Sequence, residues 1–171
     1  MSYSAKLTAS VLGIILLFLM QSVHSAEFSA PVGTVVLTIS GDIESPNVGN
    51  EVHLDLATLK SLPATQFTTS TPWHDSAESF TGVRLYDLLA ALGSQSQEIV
   101  AVGLDDFRFT ISDMDLERYP IMVAYHQNGS PISVRGLGPL RIMMPFDIYP
   151  ELQTPLNESR SVWQLVKLEL R

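Results

Sequence analysis

Aromatic, acidic and cationic side chains gather in irregular segments of this chain that also contain both of its tryptophans. An indole at the end of a loop offers a flat face on which a planar ring can stack. A carboxylate can accept two parallel hydrogen bonds from an amino-pyrimidinone edge. These residue types indicate a site for a small, flat, polar ligand, although each tryptophan could instead anchor its loop to the core. The candidate binding residues are Trp73, His74, Arg135, Asp147, Tyr149, Arg160, Ser161 and Trp163.

A loop rich in proline and glycine precedes an apolar run in the C-terminal third of the chain. Pro131 and Pro139 restrict the backbone on either side of Arg135. Gly136 and Gly138 permit turns or a close approach of the backbone to a ligand. A loop that is already ordered loses less conformational entropy on binding. We therefore expect this loop to frame the ligand.

Several catalytic chemistries lack their residues in this sequence. The chain has no cysteine, which excludes a thiolate nucleophile, a dithiol redox pair and a sulfur-ligated metal. His53, His74 and His126 lie far apart, and no HExxH-like pair supports a metal site. No GxSxG motif is present, which argues against serine hydrolase chemistry. The formal net charge of −8 disfavours a phosphate-rich partner such as nucleic acid.

The N-terminus has the features of a cleavable export signal. Lys6 provides a basic start, an apolar core follows at 11–20, and Val23 and Ser25 are small residues that precede a cleavage site. About ten apolar residues are too few to span a bilayer. We therefore expect export to the periplasm and cleavage after Ser25. We therefore expect two parts in the chain, a signal peptide at 1–25 and a single domain at 26–171.

Hydrophobic periodicity predicts the elements that must position the candidate residues. The clearest helix is 82–92, with Gly93 as its C-terminal stop. Asp55 or Thr58 could cap a short helix, and a short acidic turn or helix is expected after the strand that ends near Ser112. Strands with a few interspersed helices argue for an α+β fold. The expected strands are 34–40, 66–71, two within 98–112, 121–126, 140–144 and 162–170.

Four segments of the chain carry a family resemblance in combination. They read FTGVRLYDLLAALG (80–93), GLDDFRFTIS (103–112), IMVAYHQNGSPISVRGLGPLRIMMP (121–145) and SRSVWQLVKLEL (159–170). Together they resemble the molybdopterin-binding domain of the sulfite oxidase family, from about Val35 to Leu170. The resemblance implies that family's fold, with mixed β-sheets and a few short helices.

The enzymes of this family hold molybdenum through a cysteine in the segment that matches Thr68 to Trp73, which here reads TTSTPW. That segment, GPL followed by MP, and RS-x-W are similar to small exported members that bind a metal-free pterin. The resemblance implies a periplasmic sensor or adaptor, a binding protein rather than an enzyme. In such systems the partner is the periplasmic domain of a membrane diguanylate cyclase or phosphodiesterase, which acts on cyclic di-GMP. The alternative is a subunit of a molybdopterin-dependent oxidoreductase.

The resemblance also suggests roles for individual residues. Trp73 would stack on the pterin or wall it, and Asp147 would pair with its 2-amino edge. Arg135 and Arg160 would contact the ring carbonyl or the polyol tail. Arg141, which follows GPL, could point into the cleft or lie on the solvent face. The further candidates are His74, Tyr149, Ser161 and Trp163.

Overall fold

The computed structural model describes residues 27–171, which form two five-stranded β-sheets and four short α-helices. The strands are β1 (Val35–Gly41), β2 (Val52–Asp55), β3 (Ala64–Thr69), β4 (Glu78–Arg84), β5 (Glu98–Gly103), β6 (Arg108–Ser112), β7 (Met122–Gln127), β8 (Ser130–Pro131), β9 (Arg141–Met143) and β10 (Leu165–Leu170). The helices are α1 (Leu56–Ser61), α2 (Leu85–Leu92), α3 (Asp113–Arg118) and α4 (Pro155–Ser159).

The signal-peptide prediction falls on residues that lie outside the described range. It therefore stays a prediction, as does the division of the chain into a leader and one domain. Within the described residues, no helix is long and apolar enough to cross a bilayer.

The first sheet has the strand order β2-β1-β10-β5-β6. Strand β1 runs parallel to β10, whereas the other neighbours are antiparallel. Strands β5 and β6 form the hairpin that the sequence predicted on either side of Leu104 to Asp106. The C-terminal strand β10 therefore lies in the middle of the sheet, which fixes the position of the segment that precedes it.

The second sheet has the order β3-β4-β7-β8, and β9 also pairs with β7. Ala124 of β7 lies opposite Arg141 of β9. Side chains alternate between the two faces of a strand. Ile142 belongs to the main core, whereas Met143 belongs to a smaller apolar cluster with Phe80. Arg141 shares the face of Met143, so its side chain lies on the side of the smaller cluster.

The main core lies between the two sheets. It contains side chains of the first sheet such as Leu37 and Leu168, together with Val83, Val123 and Ile142 of the second sheet. The smaller cluster covers the opposite face of the second sheet. This arrangement agrees with the predicted α+β class and with mixed sheets that carry a few short helices.

The helix predicted at 82–92 begins three residues later than expected, at Leu85. Gly82 belongs to β4, and a Cβ atom at this position would overlap the backbone of Val123 and Ala124 in β7. The close approach of two strands, not a helix, explains this glycine. Gly93 ends the helix in the left-handed conformation, with φ 68°, as predicted.

The terminal strand also begins later than predicted, at Leu165 and not at residue 162. Gln164 has a φ of 46°, which is incompatible with a continuous strand. The chain therefore turns between Trp163 and Leu165. This turn leaves Trp163 in an irregular segment just before β10, the central strand of the first sheet.

Candidate functional site

A cavity of about 640 Å³ has both indoles in its wall. The ring centroids of Trp73 and Trp163 lie 5.5 Å apart, with an angle of 74° between the ring planes. Trp163 is still 40% exposed, so the contact between the indoles leaves the cavity open. Small-molecule sites commonly measure roughly 300–1,000 Å³, so a bicyclic ring fits this space. The other wall residues are Asp105, Phe107, Leu137, Pro155, Glu158, Ser159, Ser161, Val162 and Gln164.

Four segments that are distant in sequence form this wall, and Gln164 of the last segment hydrogen-bonds to two of the others. The backbone N–H of Leu104, in the β5–β6 turn, donates to the carbonyl of Gln164 at 3.0 Å. The backbone N–H of Gln164 donates to Leu137 at 2.9 Å, and its side-chain amide donates to the carbonyl of Val134 at 3.1 Å. The proline- and glycine-rich loop therefore does border the cavity, through Leu137.

Arg141 points inward, which resolves the orientation that the sequence left open. The residue is 1% exposed, and its guanidinium carbon lies 5.7 Å from the ring centroids of Trp73 and Phe80 and 5.8 Å from that of Trp163. Burial lowers the pKa of Arg141 from 12.5 to about 10, and the nearby charge of Glu78 partly opposes this. The side chain therefore carries its positive charge at neutral pH, directly behind the two indoles.

Several buried polar groups at this site have no hydrogen-bond partner among the described residues. They include the indole Nε1 of Trp73, the hydroxyl of Ser161, and Nε and Nη2 of Arg141. Ser161 is only 3% exposed. Buried polar atoms in proteins normally have a partner, and an unsatisfied one lowers stability. Trp73 and Ser161 belong to the cavity wall, so their unpartnered groups lie next to the space that a ligand would occupy, whereas Arg141 lies behind the wall.

His74 lies behind the wall, next to Trp73. Its Nδ1 lies 2.6 Å from the hydroxyl of Thr71, and its Nε2 lies 3.2 Å from the side-chain amide of Gln127 and 3.6 Å from the carboxylate of Glu78. The Gln127 amide also donates to Glu78. His74 is thus part of a polar network that holds the turn carrying Trp73. It does not line the cavity.

Asp147 interacts with the segment that precedes the first tryptophan. Its carboxylate accepts hydrogen bonds from the backbone N–H of Ser70 at 2.7 Å and from the Ser70 hydroxyl at 3.0 Å. Its own N–H donates to the hydroxyl of Thr69 at 3.1 Å. These bonds fix the segment at residues 69 and 70, and Asp147 is not part of the cavity wall.

The other candidates lie away from the cavity. Arg160 donates to the carboxylate of Asp115 at 3.0 Å, and Tyr149 packs edge-to-face against Tyr119 with ring centroids 5.1 Å apart. Arg135 is exposed, in a 3-10 turn. Of the eight candidate residues, the structure brings three together in one wall. These three are Trp73, Ser161 and Trp163.

Sequence reasoning did not select three further residues of this wall, Phe107, Leu137 and Glu158. Phe107 is 44% exposed in the β5–β6 turn, and an aromatic residue in an otherwise polar turn is a signal that could have been used. Glu158 has no such signal, because its position depends on how the short helix α4 packs. Leu137, which lies in the left-handed conformation with φ 66°, likewise has no sequence signal that marks it as a wall residue.

The fold and the cavity define an α+β domain with a cavity of the size of a small-molecule site. The chain belongs to the family described as oxidoreductase molybdopterin binding domain, which matches residues 34–149. The predicted resemblance to the sulfite oxidase family is thus confirmed. No match was found among curated proteins.

A similar solved structure is the sulfane dehydrogenase SoxCD from Paracoccus pantotrophus. The TM-score is 0.62 at 16% sequence identity, and the match covers 86% of this chain and 40% of the SoxCD chain. The chain therefore shares a fold with SoxCD and spans less than half of its length.

One sequence-based prediction is wrong. The missing cysteine led to the expectation of a binding protein rather than an enzyme. The family is that of an oxidoreductase domain, and the similar structure is that of a dehydrogenase. The chain is therefore related to oxidoreductases, and the loss of one metal ligand is not sufficient evidence against that class.

The family implies a pterin-type cofactor, and the site fits the pterin part of it. The two indoles can wall a flat ring, and the unpartnered donors can satisfy its carbonyl and ring-nitrogen acceptors. The fit for a metal is poorer, because the chain has no cysteine. Among residues 27–171, no group of three or more metal-binding side chains is found either. A molybdenum ion would thus depend on ligands that the cofactor brings.

Proposed function

We propose that this chain binds a pterin-type cofactor in the cavity that Trp73 and Trp163 line, and that it serves as the cofactor-binding domain of an oxidoreductase. The observation that carries the proposal is the set of buried donors without partners in the described residues, at Trp73, Ser161 and Arg141. Two of these three residues lie in the wall of the same cavity. Donors of this kind are costly to bury unless a ligand supplies the acceptors.

Each side chain has a distinct part in binding. Trp163 and Trp73 offer apolar faces and edges to the ring, and Trp73 adds an N–H donor. Arg141 attracts an electron-rich ligand, because its charge is buried and poorly screened. Phe107 and Leu137 reduce the access of water to the ring. When bound, molybdopterin would supply the redox chemistry of its metal.

Replacing Trp163 by alanine tests this proposal. Stacking on an aromatic side chain is worth about 1–3 kcal/mol per base, so we expect the affinity for 6-hydroxymethylpterin to fall by about tenfold or more. Isothermal titration of the full chain measures the change. Tyr86→Ala is the matched control, because Tyr86 is 47% exposed and lines a different cavity. Equal affinities for the parent and Trp163→Ala would contradict the proposal, as would a parent that binds no pterin.

A second candidate function is regulation by a metal-free pterin in the periplasm. The observation that favours it is the cysteine-free segment from Thr68 to Trp73, which leaves the cofactor's metal without a protein thiolate. In this case the chain would respond to the pterin by contacting the periplasmic domain of a membrane diguanylate cyclase or phosphodiesterase. The molybdenum content of the bound ligand separates the two candidates.

A further inference from the structure

The cavity wall contains two carboxylates in addition to its donors, those of Asp105 and Glu158. They differ in their surroundings. Asp105 is exposed in the β5–β6 turn, and its carboxylate accepts a hydrogen bond from the backbone N–H of Phe107 at 3.2 Å. Glu158 is half-buried. Only the second carboxylate is therefore both on a partly buried residue and free of a local backbone partner.

The nearest cation in sequence does not neutralise Glu158. Arg160 is turned away from it and donates to Asp115 and to the side-chain oxygen of Asn157, each at 3.0 Å. Among residues 27–171 the carboxylate of Glu158 forms no ion pair and no hydrogen bond. An ionised carboxylate has two oxygens that accept hydrogen bonds, and those of Glu158 are open to donors from outside the protein. The wall of the cavity is the place from which a ligand could provide them.

A second observation at the same turn also points to a ligand. The backbone N–H of Ser161 donates to the carbonyl of Glu158 at 3.1 Å, so one turn holds the two residues in a fixed relation. The Ser161 hydroxyl is buried, has no partner among the described residues and belongs to the same cavity wall. The turn thus presents an acceptor and a donor to the same space.

We infer that Glu158 selects the ligand by its amino edge. Its carboxylate accepts hydrogen bonds from the 2-amino group and the adjacent ring N–H of a pterin, while Ser161 donates to an acceptor atom of the same ring. This inference rests on the proposed function and specifies the ligand as a 2-amino-4-oxo-pteridine. A ring with a 2-oxo group places an oxygen against the carboxylate, which is repulsive and leaves both groups unsatisfied.

Pterin and lumazine provide a direct test, because they differ in the 2-amino and 2-oxo groups. Titrations of the full chain should show pterin binding about tenfold more tightly than lumazine. In Glu158→Gln this ratio should shrink to about threefold or less, because a glutamine amide can donate to the 2-oxo group. Glu117→Gln is the matched control and should keep the parent's ratio, because Glu117 is exposed and lines a different cavity.

The outcomes separate the inference from the proposed function. If the parent binds both compounds equally, or if Glu158→Gln keeps the parent's ratio, the inference is overturned while pteridine binding stands. If the parent binds neither compound, both the inference and the proposed function fail. The melting temperature of Glu158→Gln shows whether a loss of binding reflects a loss of the fold.

Discussion

The least usual residue in this protein is Arg141, a fully buried cation that has two guanidinium nitrogens without partners in the described residues. Its pKa falls from 12.5 to about 10 because burial disfavours the charged form. A change of this size corresponds to a free energy on the order of 3 kcal/mol. The three aromatic rings around the guanidinium recover part of this through cation–π attraction. A buried group with a strongly perturbed pKa next to a cavity is a candidate for a role in binding.

The substitution Arg141→Met tests whether Arg141 lowers the stability of the protein and raises its affinity for the ligand. Methionine keeps most of the volume and removes a poorly paired buried charge, so the melting temperature of the ligand-free protein should stay equal or rise. Affinity for pterin should fall by about tenfold, because the buried positive charge behind the two indoles is lost. Thermal unfolding and titration on the same sample measure both effects.

The control for this change is Arg118→Met, since Arg118 lies on the surface and pairs with Glu151 at 3.3 Å. It should leave pterin affinity as it is. A large loss of stability in Arg141→Met, with affinity unchanged, would show that Arg141 is a structural residue and not a ligand-binding one.

At the scale of single residues, the sequence identified part of the site. Trp73, Ser161 and Trp163 stood out through residue type and through their loop positions, and they do share one cavity wall. The direction of Arg141 was not predictable. It depends on how β9 pairs with β7 and on which face of that sheet the first residue of β9 occupies.

At the scale of elements, the N-terminus of α1 shows how strongly one carboxylate can organise the backbone. Asp55 accepts hydrogen bonds from the N–H groups of Thr58 and Gly33, each at 2.8 Å, and of Val32 at 3.2 Å. These bonds lower the pKa of Asp55 from 3.8 to about 2. The sequence proposed either Asp55 or Thr58 as the cap, and the structure shows that it is Asp55.

The lowered pKa predicts how stability depends on pH. The folded state favours the carboxylate, so the contribution of Asp55 is complete above the unfolded pKa and is lost as pH falls through the folded pKa. Asp55→Asn should lower the melting temperature at neutral pH and weaken the loss of stability between about pH 4 and pH 2. Asp75→Asn serves as the control, because Asp75 is exposed. If Asp55→Asn and the parent lose stability in parallel over this range, the assignment is wrong.

The positions of most strands followed from alternation and from β-branched residues. The errors occurred at positions where contacts between distant segments determine the local backbone structure. A glycine required by strand packing was assigned to a helix, and the turn at Gln164 was assigned to a strand. The strands β2, β4 and β8 were missed; β2 and β8 are too short to show a period, and part of β4 was assigned to the helix.

At the scale of the whole molecule, the cavity depends on a part of the chain that follows the family match. That match ends at residue 149, whereas Ser161 and Trp163 come later. They are held in place because β10 is inserted between β1 and β5 in the first sheet. The fold class was predictable because four segments together resembled one family. The metal content of the ligand was not predictable from the sequence. The donors in the cavity wall would contact the pterin ring whether or not a metal is bound to the cofactor.

The most direct test of the central claim is the identity of the small molecule released when the full chain is purified from its native compartment and denatured. Mass spectrometry and fluorescence identify a pterin, and elemental analysis of the same sample measures molybdenum. We predict a pterin-type compound in close to stoichiometric amount, which Trp163→Ala should strongly reduce. Release of no pterin from the parent protein, together with failure to bind added pterin, would contradict the account.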